Sequence, residues 1–391
     1  YWRTSYDILV RPADARSPIE EKYGLVEANH LSGIWGGITF DQYETIKSIP
    51  GVEVAAPVAM IGVIPEFVET EPLDSPTQPG AYLLLVTIVV HDGALHPDGE
   101  TAMTGYYYYY FGPDNASQGM GENAPFTSPP VSSFIVFPFV IAGVDPPQEA
   151  ALVGLDRALQ EGKYLSSDEP FTLRSSLFTS SGYIVVAPVL VNVTPYLDMT
   201  IGLDLKPLRL PSEVPSLDDI MSRGGTHYLA SLPVGDTVAH REWKSSALYQ
   251  RLLEQGFEGV GMGVWNTPSR TVYREIPSPF SEDDSILEIE MPEGDLGYGP
   301  WPSYRSTFTP LDSESELEEA LGVKIIGVFD IERLPMPADV SRVPLETYFP
   351  PGAILHYDEQ GNPVEPPREL RPTLNPAGYI QSPPLLLTTL E

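Results

Sequence analysis

Apolar positions fall in short blocks separated by stretches rich in Pro, Gly and acid. Most blocks are continuous runs rich in Val and Ile: Tyr6–Arg11 (YDILVR, stopped by Pro12), Val52–Ile64, Tyr82–His91, Phe134–Val144, Tyr183–Val193, Met199–Leu205 and Val323–Ile331. Runs of this length, bounded by turn residues and β-branched in character, predict buried strands. Pro57 marks an edge or a bulge in the second of them. Each is far short of the ~20 apolar residues a membrane-spanning helix needs.

Fewer segments carry a helical period. Thr39–Ser48 places Phe40, Tyr43 and Ile46 on one face, with Thr39 and Gln42 at capping-box spacing and Pro50-Gly51 as the stop. Gln148–Glu161 repeats Ala and Leu on a helical period and meets Gly162, a C-terminal stop. Lys244–Gln255 and Glu314–Leu321 are the other two predicted helices. Pro65–Gly80 reads as loop, Gly93–Pro130 as an irregular excursion or hairpin, Ser281–Glu293 as loops and short strands, and Pro335–Pro384 as extended chain laid over the core. No repeat of solenoid or propeller period occurs. The expected class is α+β, a strand-rich mixed α/β core with an inserted second subdomain. Residues 1–206 plus 322–391 would form the core and residues 207–321 the insertion.

Composition narrows the function classes. Fifty-four acids against 22 bases leave a formal net charge of −32. A surface of that sign repels phosphate backbones and anionic head groups, which excludes nucleic acid as a partner. The absence of cysteine excludes disulfides, thiolate catalysis and Cys-based zinc sites. Forty-two prolines and 21 tyrosines indicate a β-rich fold with rigid, aromatic loops. The chain opens Tyr1-Trp2-Arg3 without an initiator Met, as a fragment or processed product would, and contains no signal peptide, which places any export information outside it.

Candidate chemistry is sparse. Of six histidines only His91 and His96, beside Asp92, lie close together, without HExxH or similar ligand spacing. Gly33–Gly37 (GIWGG) precedes a helix but lacks the Lys of a phosphate loop and a strand before it, and reads as a turn. Adjacent acids at Glu20-Glu21, Asp218-Asp219, Glu282-Asp283-Asp284 and Glu318-Glu319 read as solvated surface, and Ser281–Ser285 lacks alternating calcium-ligand spacing. GxSxG and SxxK nucleophile motifs are absent. The Tyr106–Tyr110 run reads first as an aromatic ladder clamping a hairpin, and otherwise as a platform for a lipid, glycan or protein. No residue is assigned a catalytic, metal-binding or cofactor-binding role, no cofactor is expected, and a ligand pocket is not legible.

Several segments resemble the large extracytoplasmic domain of bacterial ABC-transporter permeases of the MacB/FtsX-like type. They are YWRTSYDILVRP (Tyr1–Pro12), LSGIWGG (Leu31–Gly37), ITFDQYETIKSIPGVEVAAPVAMIG (Ile38–Gly62), VIAGVDPPQEAALVGLDRAL with GKYLS (Val140–Leu159, Gly162–Ser166), Val189–Val193, IIGVFD (Ile325–Asp330) and GYIQSPPLLLTTL (Gly378–Leu390). The blocks Leu31–Gly62 and Val140–Ser166 are the most specific. The resemblance implies a non-enzymatic domain on the extracytoplasmic face of the cell membrane, between the first and second membrane helices. It would couple ATP-driven helix motion to export, extraction or regulation outside the membrane. It also implies a homodimer or paired permease, a cytosolic ABC ATPase subunit and a lipid, peptide or wall-associated partner. Tyr1, Trp2 and Arg3 fit the residue types enriched where a helix leaves a bilayer, and Leu385–Leu387 would begin the approach to the next helix. The alternative is a secreted carbohydrate-active enzyme or a solute- or glycan-binding module.

Overall fold

The computed structural model describes residues 6–12, 24, 37–74, 76–91, 101–112, 117–120, 134–168, 170–175, 183–196, 198–211, 216–255, 258–259, 272–277, 285–290, 321–334, 348–349, 353–357, 362–373 and 380–390. Strands dominate, and the fold is α+β.

The principal sheet has eight strands: β1 (Val58–Glu69), β5 (Phe134–Val144), β6 (Leu159–Gly162), β7 (Thr172–Ser175), β8 (Tyr183–Asn192), β11 (Glu258–Gly259), β14 (Leu321–Phe329) and β19 (Leu386–Thr389). Its order is β1-β5-β19-β8-β14-β11, with β6 also on β14 and β7 also on β8. Pairing is mixed: β19 runs parallel to β5 and antiparallel to β8, and β14 runs parallel to β8. The last strand in the sequence therefore lies in the interior of the sheet. The second sheet is antiparallel, ordered β10 (Ala239–Lys244), β9 (Met199–Pro207), β2 (Gly80–Val90), β3 (Thr101–Phe111) and β4 (Ser117–Met120). Two-stranded pairs complete the set: β12 (Val272–Pro277) with β13 (Ser285–Glu290), β15 (Ala353–Tyr357) with β16 (Pro363–Leu370), and β17 (Pro372–Thr373) with β18 (Ile380–Gln381).

The continuous apolar runs are explained by cover on both faces of the principal sheet. Ile141, Val189, Val191, Val323 and Leu386 point to one face. There they meet Leu248, Tyr249 and Leu252 of a helix over Ser245–Gln255, together with Met199 and Ile201 of β9. Ala142, Val144, Leu190, Phe329 and Leu387 point to the other, against Leu155, Ala158, Leu165, Ile331, Leu334 and Tyr348. A register shift between Ile325 and Gly327 lets β14 send Val323 to the first face and Phe329 to the second.

The second sheet has its own two cores. Tyr82, Leu84, Tyr109, Phe111, Leu203 and Leu205 pack on one side. Ala81, Leu83, Tyr110 and Leu208 pack on the other, beneath Ile220 and Leu229 from two short helices, Leu217–Ser222 and Thr226–Ala230. The tyrosine run is part of β3, registered against Leu85 through Ala81 of β2. Tyr109 and Tyr110 are buried on opposite faces and only Tyr106, at 62% exposed, stands well out to solvent. Four of the five rings thus work as the hairpin clamp.

Several expected elements differ. Residues 6–12 contain no strand, because no described strand pairs with them. β1 starts at Val58 instead of Val52 and continues through Pro65, which was expected to be loop. Pro65 is tolerated because β1 is the outer strand, and its rung partner is Pro138. The helix expected at Gln148–Glu161 runs Pro146–Val153 and stops at Gly154, which takes the left-handed conformation (φ 74°) that glycine allows. A 3₁₀ turn over Leu155–Ala158 and strand β6 follow. Leu321 begins β14 and the remainder of the predicted helix Glu314–Leu321 lies outside the described residues. Leu385–Leu387, read as an approach to a membrane helix, is core: Leu386 and Leu387 belong to β19 and all three leucines are buried.

Candidate functional site

One end of the principal sheet gathers the segments through which the chain enters and leaves it. Val58, the first residue of β1, is registered on Val144, and Thr389, the last of β19, is registered on the same residue from the other side. With strands ~4.8 Å apart, residues 58 and 389 stand ~10 Å from each other. β1 runs away from this end and β19 runs toward it.

The GVDPP turn sits at the same end. Asp145 follows the last residue of β5 and caps α2 (Pro146–Val153), accepting the Gln148 N–H at 3.2 Å; Pro146 fills the first helical position, where a missing N–H costs nothing. The preceding helix, α1 (Phe40–Lys47), is held by the capping box the sequence predicts: Thr39 Oγ1 accepts the Gln42 N–H at 3.2 Å and Gln42 Oε1 accepts the Thr39 N–H at 2.9 Å. α1 buries no residue, and Phe40 is 68% exposed. Its anchor is Tyr43, whose hydroxyl lies 3.0 Å from Ala55 O and 3.1 Å from Asp145 Oδ2 and donates to one or the other. Burial and the Asp145 carboxylate both push the Tyr43 phenol above its ordinary range.

Behind Asp145 lies a buried cluster of acid and phenol. Glu149, on the first turn of α2, is 2% exposed. Its Oε1 accepts the Tyr348 hydroxyl at 2.6 Å and its Oε2 has no hydrogen-bond partner. Tyr164 donates to Pro146 O at 3.0 Å, closing the other side. Tyr348 packs edge-on to Phe329 of the sheet, with ring centroids 6.4 Å apart. Desolvation pushes the Glu149 carboxyl up to about 7; the Tyr348 hydrogen bond opposes that shift and the charge on Asp145 adds to it. Tyr164 and Tyr348 are themselves raised, chiefly by burial and then by Glu149. The arrangement can therefore take up and release a proton near neutral pH at a joint between α2, the sheet and the Tyr348 segment.

The other candidates fare differently. His91 Nε2 sits 3.0 Å from Thr200 Oγ1 on β9, and among the described residues no three His, Asp or Glu side chains gather in a way that could hold a metal ion. His96, Gly33–Gly36, Glu20-Glu21, Glu282-Asp283-Asp284 and Glu318-Glu319 lie outside the described residues. Asp219 is a helix-capping residue: its carboxylate accepts the Ser216 hydroxyl at 2.7 Å and the Ser216 N–H at 3.0 Å, which holds it below the usual carboxylate range. Asp145 lies in the GVDPP stretch that resembles the permease family, but the expected helix began at Gln148 and its capping role was not read from the sequence. Nor was the Glu149–Tyr348 pair, because its partners are 199 residues apart. No protein-family model matches the chain, and neither does any curated protein or solved structure.

Proposed function

We propose that the chain is the extracytoplasmic domain of an ABC-transporter permease of the MacB/FtsX-like type, a non-enzymatic part that couples the motion of membrane helices to work outside the membrane. The observation that carries this reading is the meeting of β1 and β19 on Val144. A domain set into a loop between two membrane helices needs both connections to leave from one place, and residues 58 and 389 are one strand apart. The two segments that most resemble the family, Leu31–Gly62 and Val140–Ser166, also touch there through Tyr43 and Asp145.

The geometry suits transmission of force. A pull on the segment before Val58 and a pull on the segment after Thr389 act on β1 and β19 in the same direction, on either side of β5. Both are carried by backbone ladders, so the sheet moves as a body and is not sheared apart. On this reading the partners are a second permease copy, a cytosolic ATPase subunit and a lipid, peptide or wall-associated target, and the domain stands on the outer face of the cell membrane.

The test is the coding sequence on both sides of the chain. Apolar stretches of ~20 residues before Tyr1 and after Glu391, with an ATPase reading frame alongside, support the proposal. A cleavable signal peptide before Tyr1 with a stop codon directly after Glu391 overturns it.

A further inference from the structure

β8 reaches further out than β5 and β19 at the end of the sheet where β1 enters and β19 leaves. Leu386 is registered on Ile141 of β5 and on Val191 of β8, so Val144 stands level with Pro188. Val185 lies three residues beyond that level, ~10 Å further out. β7 accompanies it, with Leu173 directly opposite Val185. Val185 continues the buried row of Val191, Val189 and Ala187, and there the row emerges into solvent. Leu173 is 74% exposed, Val185 42% and Phe171, just before β7, 41%. α1, tied to Asp145 through Tyr43, adds the exposed Phe40 to the same end.

Apolar side chains gathered in the open on one projecting edge mark a contact surface. A protein partner fits it poorly, because a stable protein interface buries about 800 Å² on each side and three partly exposed side chains cannot supply that. A lipid surface asks for less. A few apolar groups set ~5–10 Å into the headgroup boundary suffice, a depth that the tip's reach past Val144 matches. We propose that the β7–β8 tip, through Phe171, Leu173 and Val185, dips into the outer leaflet of the membrane and props the sheet on it. This rests on the membrane placement argued above and adds which part of the domain meets lipid. The net charge of −32 gives the rest of the surface no attraction to anionic head groups, so the contact is confined to the tip.

The absence of cysteine lets a single probe be placed at a chosen position. Thr172→Cys, exposed and next to Leu173, carries an environment-sensitive nitrobenzoxadiazole label on the whole chain. A C-terminal histidine tag tethers that chain to phosphatidylcholine vesicles containing a nickel-chelating lipid. Phosphatidylcholine with a nitroxide on its acyl chain should quench the label ~twofold or more. The same label at Met221→Cys, a position 60% exposed on the Leu217–Ser222 helix, should stay unquenched. Leu173→Glu, added to the Thr172→Cys chain, should remove the quenching; Leu173 is exposed, so this variant keeps the fold, which its urea midpoint checks. No quenching at 172, equal quenching at 172 and 221, or quenching undiminished by Leu173→Glu overturns the lipid contact. The permease reading fails separately. With membrane helices encoded on both sides and an unquenched label, only the lipid contact falls. With a quenched label, a signal peptide before Tyr1 and a stop codon directly after Glu391, only the permease reading falls.

Discussion

Gly162 and Gly51 allow the cost of an unusual backbone conformation to be separated from the cost of close packing. Both adopt positive φ, 79° at Gly162 and 96° at Gly51. A Cβ on Gly51 would meet nothing within 4 Å, so Gly51→Ala should lose only the conformational preference, about 1–2 kcal/mol. A Cβ on Gly162 would stand 2.2 Å from Ile326 O and 2.7 Å from Gly327 Cα. An ordinary contact is ~3.5 Å, so the two strands must part by ~1 Å. The obstructing atoms are backbone and cannot rotate aside. Parting breaks the Gly162–Gly327 rung and the bond from Lys163 N to Ile326 O, now 3.0 Å. Overpacking adds about 1–3 kcal/mol and the strained bond about 1 more, so Gly162→Ala should cost ~3–6 kcal/mol. Equilibrium urea unfolding of the two variants beside the wild-type chain measures the difference. A gap of ~2 kcal/mol or more is expected. If Gly162→Ala costs no more than Gly51→Ala, the close crossing of β6 and β14 is not what requires glycine there.

Two further outcomes follow from buried polar groups. Glu149 has its folded-state value raised from 4.5 to about 7, so the folded chain holds this proton more tightly than the unfolded one. That contribution is fully present below pH 4.5 and is lost as pH rises through 7, the loss totalling about 3 kcal/mol by then, and the wild-type minus Glu149→Gln stability difference, followed by urea midpoints between pH 5 and 8, should fall accordingly. Tyr249→Phe removes the hydroxyl that donates to Asn192 O at 2.5 Å between the Ser245–Gln255 helix and β8, leaving a buried carbonyl short of a donor. It should cost about 1–3 kcal/mol in the same assay, and a loss below ~0.5 kcal/mol would show that the bond contributes little.

Much of the fold was legible because burial writes itself locally. Phe134–Val144 is a strand over the residues the apolar run predicts, and Thr39, Gln42 and the PG stop place α1 correctly, since capping chemistry acts over three or four residues. The misplacements arise where a longer-range relation decides. Gln148–Glu161 keeps a helical period past Gly154, but β14 offers residues 159–162 an edge to pair with, and strand pairing wins over periodicity. Pro65 reads as a breaker until its position on the sheet's outer strand is known. At the candidate site, Asp145 and Pro146 start the helix two residues before the expected Gln148. Nothing near Glu149 announces Tyr348, because an apolar helix face with one acid reads as an edge residue until its partner from the far end of the chain is in place.

The position of β19 sets an order on assembly. Residues 386–389 follow every other described element along the chain, yet they separate β5 from β8. Until they emerge, β5 and β8 each present an unpaired edge, and the two halves of the sheet have no ladder between them. The principal sheet cannot close until residues 386–389 have been made. A chain lacking residues 386–389 would lose its keystone, with the edges of β5 and β8 left open to join another molecule. Such a chain depends on its nascent edges being shielded until the final strand closes the gap.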